Sequence, residues 1–254
     1  MTALWRTVTP AWLLDRPIAH RGLHDRAAGR IENSLTAARA AVAGGYAIEC
    51  DVRRSADGEL FVFHDAGLGR LTTSHGRLSD IDGRLASTIA LAGSTDRIAP
   101  LAALFGVVNG AVPIICELKS EFDGDMRLAD RFTELAGAYA GPLAIKCFDP
   151  GVLIHLRRRG TDRPLGIVAE ASFDGPYWAD ISVDRRRDMA NMLHVGDTRP
   201  DFLSFHVDDL PHPVPVLMRT GMGVPVMAWT VRTAEQRQIA ARWADQIVFE
   251  GFTP

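Results

Sequence analysis

Short apolar runs recur along the chain, separated by longer stretches with helical spacing. Eight of these runs read as strands: residues 17–20, 46–52, 112–119, 142–148, 164–170, 201–207, 225–231 and 245–251. Near-continuous apolar runs of this length fit strands buried on both faces, as in a parallel sheet. Helical spacing covers residues 33–42, 101–108, 125–139, 150–159 and 233–244, with a weaker stretch at 172–191. Strand-then-helix repetition implies parallel strands joined by right-handed crossovers. Eight such units point to a closed (β/α)8 barrel, with an open doubly wound sheet as the alternative.

Two regions break the rhythm. Asp57-Gly58 reads as a two-residue hairpin turn between residues 51–56 and 59–65. That turn would set Asp51 opposite His64. Residues 66–99 have no steady period and are rich in Gly, Ser, Thr and Asp, so they read as an excursion after the second strand. The expectation is one barrel domain over residues 1–254 with a small insertion at about 66–99. Only Phe252, Thr253 and Pro254 follow the last strand. The apolar residues Leu4, Trp5, Val8, Trp12, Leu13 and Leu14 are therefore expected to cover the seam between the eighth and first strands.

Composition narrows the classes. The chain has 254 residues, 47% hydrophobic and 23% charged, as in ordinary globular proteins. A net charge of -3 gives no electrostatic case for nucleic acid or an anionic membrane. No apolar run is long enough for a membrane span, and residues 1–14 do not read as a signal peptide. Three cysteines without a C-x-x-C pair fit a reducing compartment, so a cytoplasmic location is expected. Lys119 and Lys146 are the only lysines among 28 basic residues. In so Arg-biased a chain, each marks a position where Arg does not substitute.

Active sites of (β/α)8 barrels form at the C-terminal strand ends. There the first strand offers His20 and Arg21, the second Glu49 and Asp51, the third Glu117 and Lys119. Side chains alternate along a strand, so Glu49 and Asp51 share one face, and Glu117 and Lys119 another. If these faces look into the barrel, three carboxylates converge, which a cation would relieve; oxygen-only ligands suit Mg2+, Ca2+ or Mn2+. The alternative is a set of salt bridges with Arg21, Arg53 and Lys119. His20 and His64 beside such a site would form an acid/base pair. His206, at the end of the sixth strand, is a further candidate, while His24, His75, His155, His194 and His212 read as structural.

The strings His20-Arg21-Gly22, Glu32-Asn33-Ser34, Glu49-Cys50-Asp51-Val52 and Phe63-His64-Asp65 resemble, in order and spacing, the glycerophosphodiester phosphodiesterase family. Leu68, Arg70, Thr72, Thr73 and Gly76 extend the resemblance, as do Glu117-Leu118-Lys119 and Trp229-Thr230-Val231. It implies a (β/α)8 barrel binding one divalent cation, Ca2+ or Mg2+, through Glu49, Asp51 and Glu117. It makes His20 and His64 the general acid and base, gives the phosphate to Arg21 and Lys119, and lines the substrate pocket with Trp229. Glu32 would support the first-strand loop. The implied reaction releases an alcohol and glycerol 3-phosphate from a small glycerophosphodiester, an activity of lipid metabolism. The chain departs from the family pattern at Cys147-Phe148 and at Val248-Phe249-Glu250-Gly251. Competing readings are a lysophospholipase D or sphingomyelinase D-like enzyme, which would need an apolar groove, and a catalytically silent barrel that binds phosphodiesters.

Overall fold

The computed structural model describes residues 9–254. The strands are β1 (Ile18–Ala19), β2 (Ala47–Arg54), β3 (Leu60–Val62), β4 (Ala99–Pro100), β5 (Ile114–Leu118), β6 (Leu143–Cys147), β7 (Leu165–Ala169), β8 (Phe202–His206), β9 (Val226–Val231) and β10 (Gln246–Phe249). β1, β2 and β5 to β10 pair in parallel, each with its neighbour. β1 closes the ring by pairing with both β10 and β2. The result is the eight-stranded (β/α)8 barrel expected from the apolar runs, not an open sheet.

The helices are α1 (Leu35–Gly44), α2 (Gly83–Ala86), α3 (Leu101–Val108), α4 (Arg127–Gly137), α5 (Pro150–Arg158), α6 (Val183–Ala190), α7 (Val195–Thr198), α8 (Pro213–Met222) and α9 (Ala234–Trp243). Their starts follow from capping side chains. Ser34 accepts from Ala37 N, and Asp149 accepts from Gly151 N ahead of Pro150. Thr233 and Gln236 form a reciprocal capping box. Helix α8 has no counterpart in the periodicity because its first turn carries Pro213 and Pro215. Prolines are tolerated there, since first-turn amides have no partner within the helix.

Alternation on the barrel strands sorts two cores. Ile48, Cys50, Val52, Ile114, Cys116 and Leu118 face outward into the main core with the helices. Ile18, Ala47, Ile115, Ala144, Phe202, Met227 and Val248 face inward and form a separate cluster at the barrel's lower end. Gly166 belongs to this packing: a Cβ placed there would lie 2.2 Å from the Phe202 ring.

The seam between β10 and β1 is covered differently from the expectation. Phe249 faces outward, with the Tyr46 ring 5.1 Å and the Phe252 ring 5.5 Å from its own. Leu13 instead joins the inward cluster, with Trp12 and Leu14 against it, so this segment plugs the barrel's lower end. The Gln246 side-chain amide donates to the carbonyls of Leu14 and Arg16, tying the plug to β10. Leu4, Trp5 and Val8 lie outside the described residues.

The hairpin register also differs. Arg53 pairs with Phe61 and Arg54 with Leu60, so Phe63, not His64, stands opposite Asp51. The turn has three residues, 56–58, because the Ser55 amide bonds to the Glu59 carbonyl and Gly58 takes φ +95°. A glycine in the left-handed region at the third loop position is the usual three-residue hairpin. The Ser55 hydroxyl sits beside both the amide and the carbonyl of Glu59, fixing that choice. Residues 66–98 then fold back over β3 and β4 around a small core of their own, containing Phe61, Phe63, Leu68, Leu71 and Ile98.

Candidate active site

β2 and β5 bring the acids together. Glu117 is the register partner of Asp51, and Lys146 on β6 is the partner of Glu117. Glu49, Asp51 and Glu117 are all buried, and each offers an oxygen within 4.8 Å of the others. Two lysines and one arginine are threaded between them. Lys119 Nζ lies 2.9 Å from Asp51 Oδ1 and contacts Glu117 Oε1. Lys146 Nζ lies 3.0 Å from Glu49 Oε1 and 3.1 Å from Glu117 Oε2. Arg21 Nε lies 3.2 Å from Asp51 Oδ2, and the Arg21 amide donates to Glu49 Oε2. Asn33 completes the Asp51 environment by donating to Oδ2 at 2.8 Å.

Burial alone would push the Asp51 and Glu117 carboxyls up, but the cations reverse it. Lys119 and Lys146 bring Glu117 down to about 2, and Lys119 and Arg21 hold Asp51 well below the usual carboxylate range. Both lysines are in turn held charged above their ordinary value, against the cost of burial, by the same acids. The expected acidic cluster is therefore present, and so are two of the ion pairs weighed as its alternative, those of Arg21 and Lys119. Arg53 is not among them; it pairs with Glu121 at 2.7 Å and donates to the His64 carbonyl.

The cluster fits a hard divalent cation. Its three donors are all carboxylate oxygens, the ligands such a cation prefers. Glu49 Oε1 is buried and makes no hydrogen bond, although Lys146 Nζ is near it, so it keeps a lone pair free to ligate.

His20 and His64 line the same cavity, of about 230 Å3, with Arg21, Asp51, Glu117 and Lys119. Each is held through Nδ1 by a carboxylate: His20 by Glu250 at 2.7 Å, His64 by Asp65 at 2.6 Å. That leaves Nε2 of each as the ring nitrogen available to the cavity. His64 reaches the site despite the register difference because β3 ends at Val62, and the strand pleat no longer directs its side chain. Glu32 bridges Arg21 and Arg70, and Arg70 also grips Asp65. The first-strand loop and the His64 loop are thus one hydrogen-bonded unit. Arg21 takes φ +55°, and a Cβ on the following Gly22 would come within 3.0 Å of the Ala37 backbone. The turn after β1 is held tight by that close approach.

Trp229 also lines the cavity, its indole N–H donating to the Ser204 carbonyl. His206 does not; its ring packs on Trp229 with centroids 5.0 Å apart. Sequence reasoning missed Lys146, Glu250, Asp65 and an aromatic wall of Phe148, Tyr177 and Trp178. The scarcity of lysine was the available signal for Lys146. Glu250, two residues beyond Val248 on the inward face, could have been found by alternation; the wall, in an irregular loop, could not.

Residues 20–97 match the model of the glycerophosphoryl diester phosphodiesterase family. The resemblance read in the motifs, and the enzyme class it implied, are borne out by this match. The matched segment holds His20, Arg21, Glu49, Asp51 and His64, while Glu117, Lys119 and Trp229 lie beyond it. No curated protein matches the chain. Among solved structures, an Oleispira antarctica phosphodiesterase in complex with the product sn-glycerol-3-phosphate is 18% identical, with a TM-score of 0.77 and 93% of each chain covered. A glycerophosphodiester phosphodiesterase from Thermotoga maritima is 22% identical, with a TM-score of 0.69, covering 91% of this chain and 92% of its own. One from Parabacteroides distasonis is 18% identical, with a TM-score of 0.72 and 92% of each chain covered. These likenesses show the fold.

Proposed function

We propose that this protein hydrolyses small glycerophosphodiesters to an alcohol and glycerol 3-phosphate, using His20 and His64 as the acid/base pair. The observation that carries the reading is that both imidazoles, each backed by a carboxylate through Nδ1, line one cavity with a buried three-carboxylate cluster. In this reading Glu49, Asp51 and Glu117 hold one Ca2+ or Mg2+. When bound, it offsets negative charge on the phosphate oxygens and organises the reacting groups.

The chain's own residues do the rest. Arg21 and Lys119 sit at the cavity wall and hold the phosphate, stabilising charge as it builds on the equatorial oxygens. One imidazole takes the proton of the attacking water or of a neighbouring substrate hydroxyl, and a new O–P bond forms. The other gives its proton to the departing alkoxide as the old P–O bond breaks. Glu250 and Asp65 fix each ring's orientation through Nδ1. Trp229 packs against the organic part of the substrate.

Phosphate-coupled turnover of a glycerophosphodiester panel, with and without chelator, tests this. Turnover is expected and should cease with chelator; no turnover of any member in the presence of Ca2+ or Mg2+ would overturn it. The aromatic wall favours one second reading, a lysophospholipase D-like activity, because it supplies an apolar surface at the mouth. Faster cleavage of lysophosphatidylcholine than of glycerophosphocholine would favour it.

A further inference from the structure

The cavity has two unlike walls. One carries Arg21, Lys119 and Lys146; the other carries Phe148, Tyr177, Trp178, Trp229 and a single acid, Glu170. Glu170 follows β7 and is half-buried, and the Trp178 indole N–H donates to its Oε1. Among the described residues no Arg, Lys or His lies within ion-pair distance of it. Every other acid lining this cavity is paired with a cation. Burial raises the Glu170 carboxyl, outweighing the Trp178 hydrogen bond and the more distant His206.

The rings around it are mutually braced. Trp178 packs edge-on to Phe173 at 4.9 Å and to Tyr177 at 4.6 Å, and Phe148 packs edge-on to Trp229 at 5.7 Å. Rigid aromatic faces beside a carboxylate that makes no ion pair form a receptor for an organic cation. A quaternary ammonium suits it better than a primary one. It has no N–H groups to satisfy, and apart from Glu170 this wall has little to accept them.

Resting on the proposed phosphodiesterase reading, we infer that Glu170 and the wall of Trp178, Tyr177 and Trp229 bind a quaternary-ammonium alcohol carried on the phosphate, selecting choline-type diesters. A zwitterionic diester matches the cavity end to end, its phosphate on the basic wall and its cation on the aromatic one.

The test has two arms. In the first, kcat/KM for glycerophosphocholine is compared with that for the uncharged-alcohol diester glycerophosphoglycerol. Wild type is expected to favour the choline diester by about tenfold or more, and Glu170→Gln and Trp178→Leu to lower that ratio several-fold with glycerophosphoglycerol turnover kept. An equal loss on both substrates in Glu170→Gln would overturn the inference and assign Glu170 to the shared glycerol half. In the second arm, tryptophan fluorescence is titrated with tetramethylammonium, which needs no turnover. Saturable binding weakened by Glu170→Gln supports the cation site even if no diester is cleaved; no binding, with diesters cleaved, sinks this inference alone.

Discussion

The two ends of the barrel are built on the same strands and the same inward faces, two residues apart, yet they are chemical opposites. At the lower end Ile18, Ala47, Ile115, Ala144 and Val248 pack with Phe202 and Leu13. Two positions further along each strand stand His20, Glu49, Glu117, Lys146 and Glu250. The lower end is stabilised by apolar burial, worth about 25 cal/mol per Å2, and its shape can adapt only at the cost of cavities or clashes. The upper end buries three acids and pairs them with three cations, an arrangement that rarely stabilises more than apolar packing would. The lower end keeps the barrel closed so that the upper end can hold charge in a fixed geometry.

This contrast is sharpest if substitutions at one end change activity without stability, and at the other stability without activity. The largest expected effect is at the mouth: His20→Ala and His64→Ala should each lower kcat by about 10^2-fold or more, with an unchanged melting temperature. Near-normal turnover in either variant removes the acid/base assignment. Glu117→Gln should first raise the divalent-cation concentration needed for half-maximal rate, read by titrating metal into chelated enzyme.

At the lower end, Leu13→Ala should cost about 2–5 kcal/mol of stability with kcat kept, measured by denaturant unfolding and steady-state rates. Removing residues 1–14 should lower the melting temperature by several degrees; a truncated chain that melts like the full one would break the plug assignment. Gly166→Ala is next, at about 1–3 kcal/mol, because its new methyl group meets the Phe202 ring. An unaltered melting temperature there would mean that Phe202 has another rotamer to move to.

The smallest effect involves neither end. Burial brings His194 down to about 4 from its ordinary 6.5. Its folded pKa lies below its unfolded one, so its contribution to stability is complete above 6.5 and is lost as pH falls toward 4. His194→Gln should leave stability at pH 7 nearly unchanged and move the acid unfolding midpoint downward. A midpoint that stays put would show that other groups set the acid limit.

The eight barrel strands and five of the helices were legible because each is a local pattern: apolar runs of strand length, periodic stretches and capping residues. His20, Glu49, Asp51, Glu117 and Lys119 were legible because alternation places them on inward faces at strand ends, where barrel sites form. Other features were not local. Asp57-Gly58 looked like a two-residue turn, but the Ser55 side chain selects three, a choice that depends on how Glu59 returns. Helix α8 was hidden by prolines that a first turn accepts.

The sequence by itself determined the eight strand-then-helix units and the strand ends that carry His20, Glu49, Asp51, Glu117 and Lys119, since these follow from residue order, period and alternation. Only the tertiary structure decided that Lys146 reaches both Glu49 and Glu117, that Glu250 holds His20, that Leu13 enters the barrel's lower end, and that the Trp178 indole donates to Glu170. Each of these contacts joins residues brought together by ring closure or by a loop crossing the mouth. No local pattern encodes which side chains meet there, because the meeting is fixed by the packing of all eight strands at once.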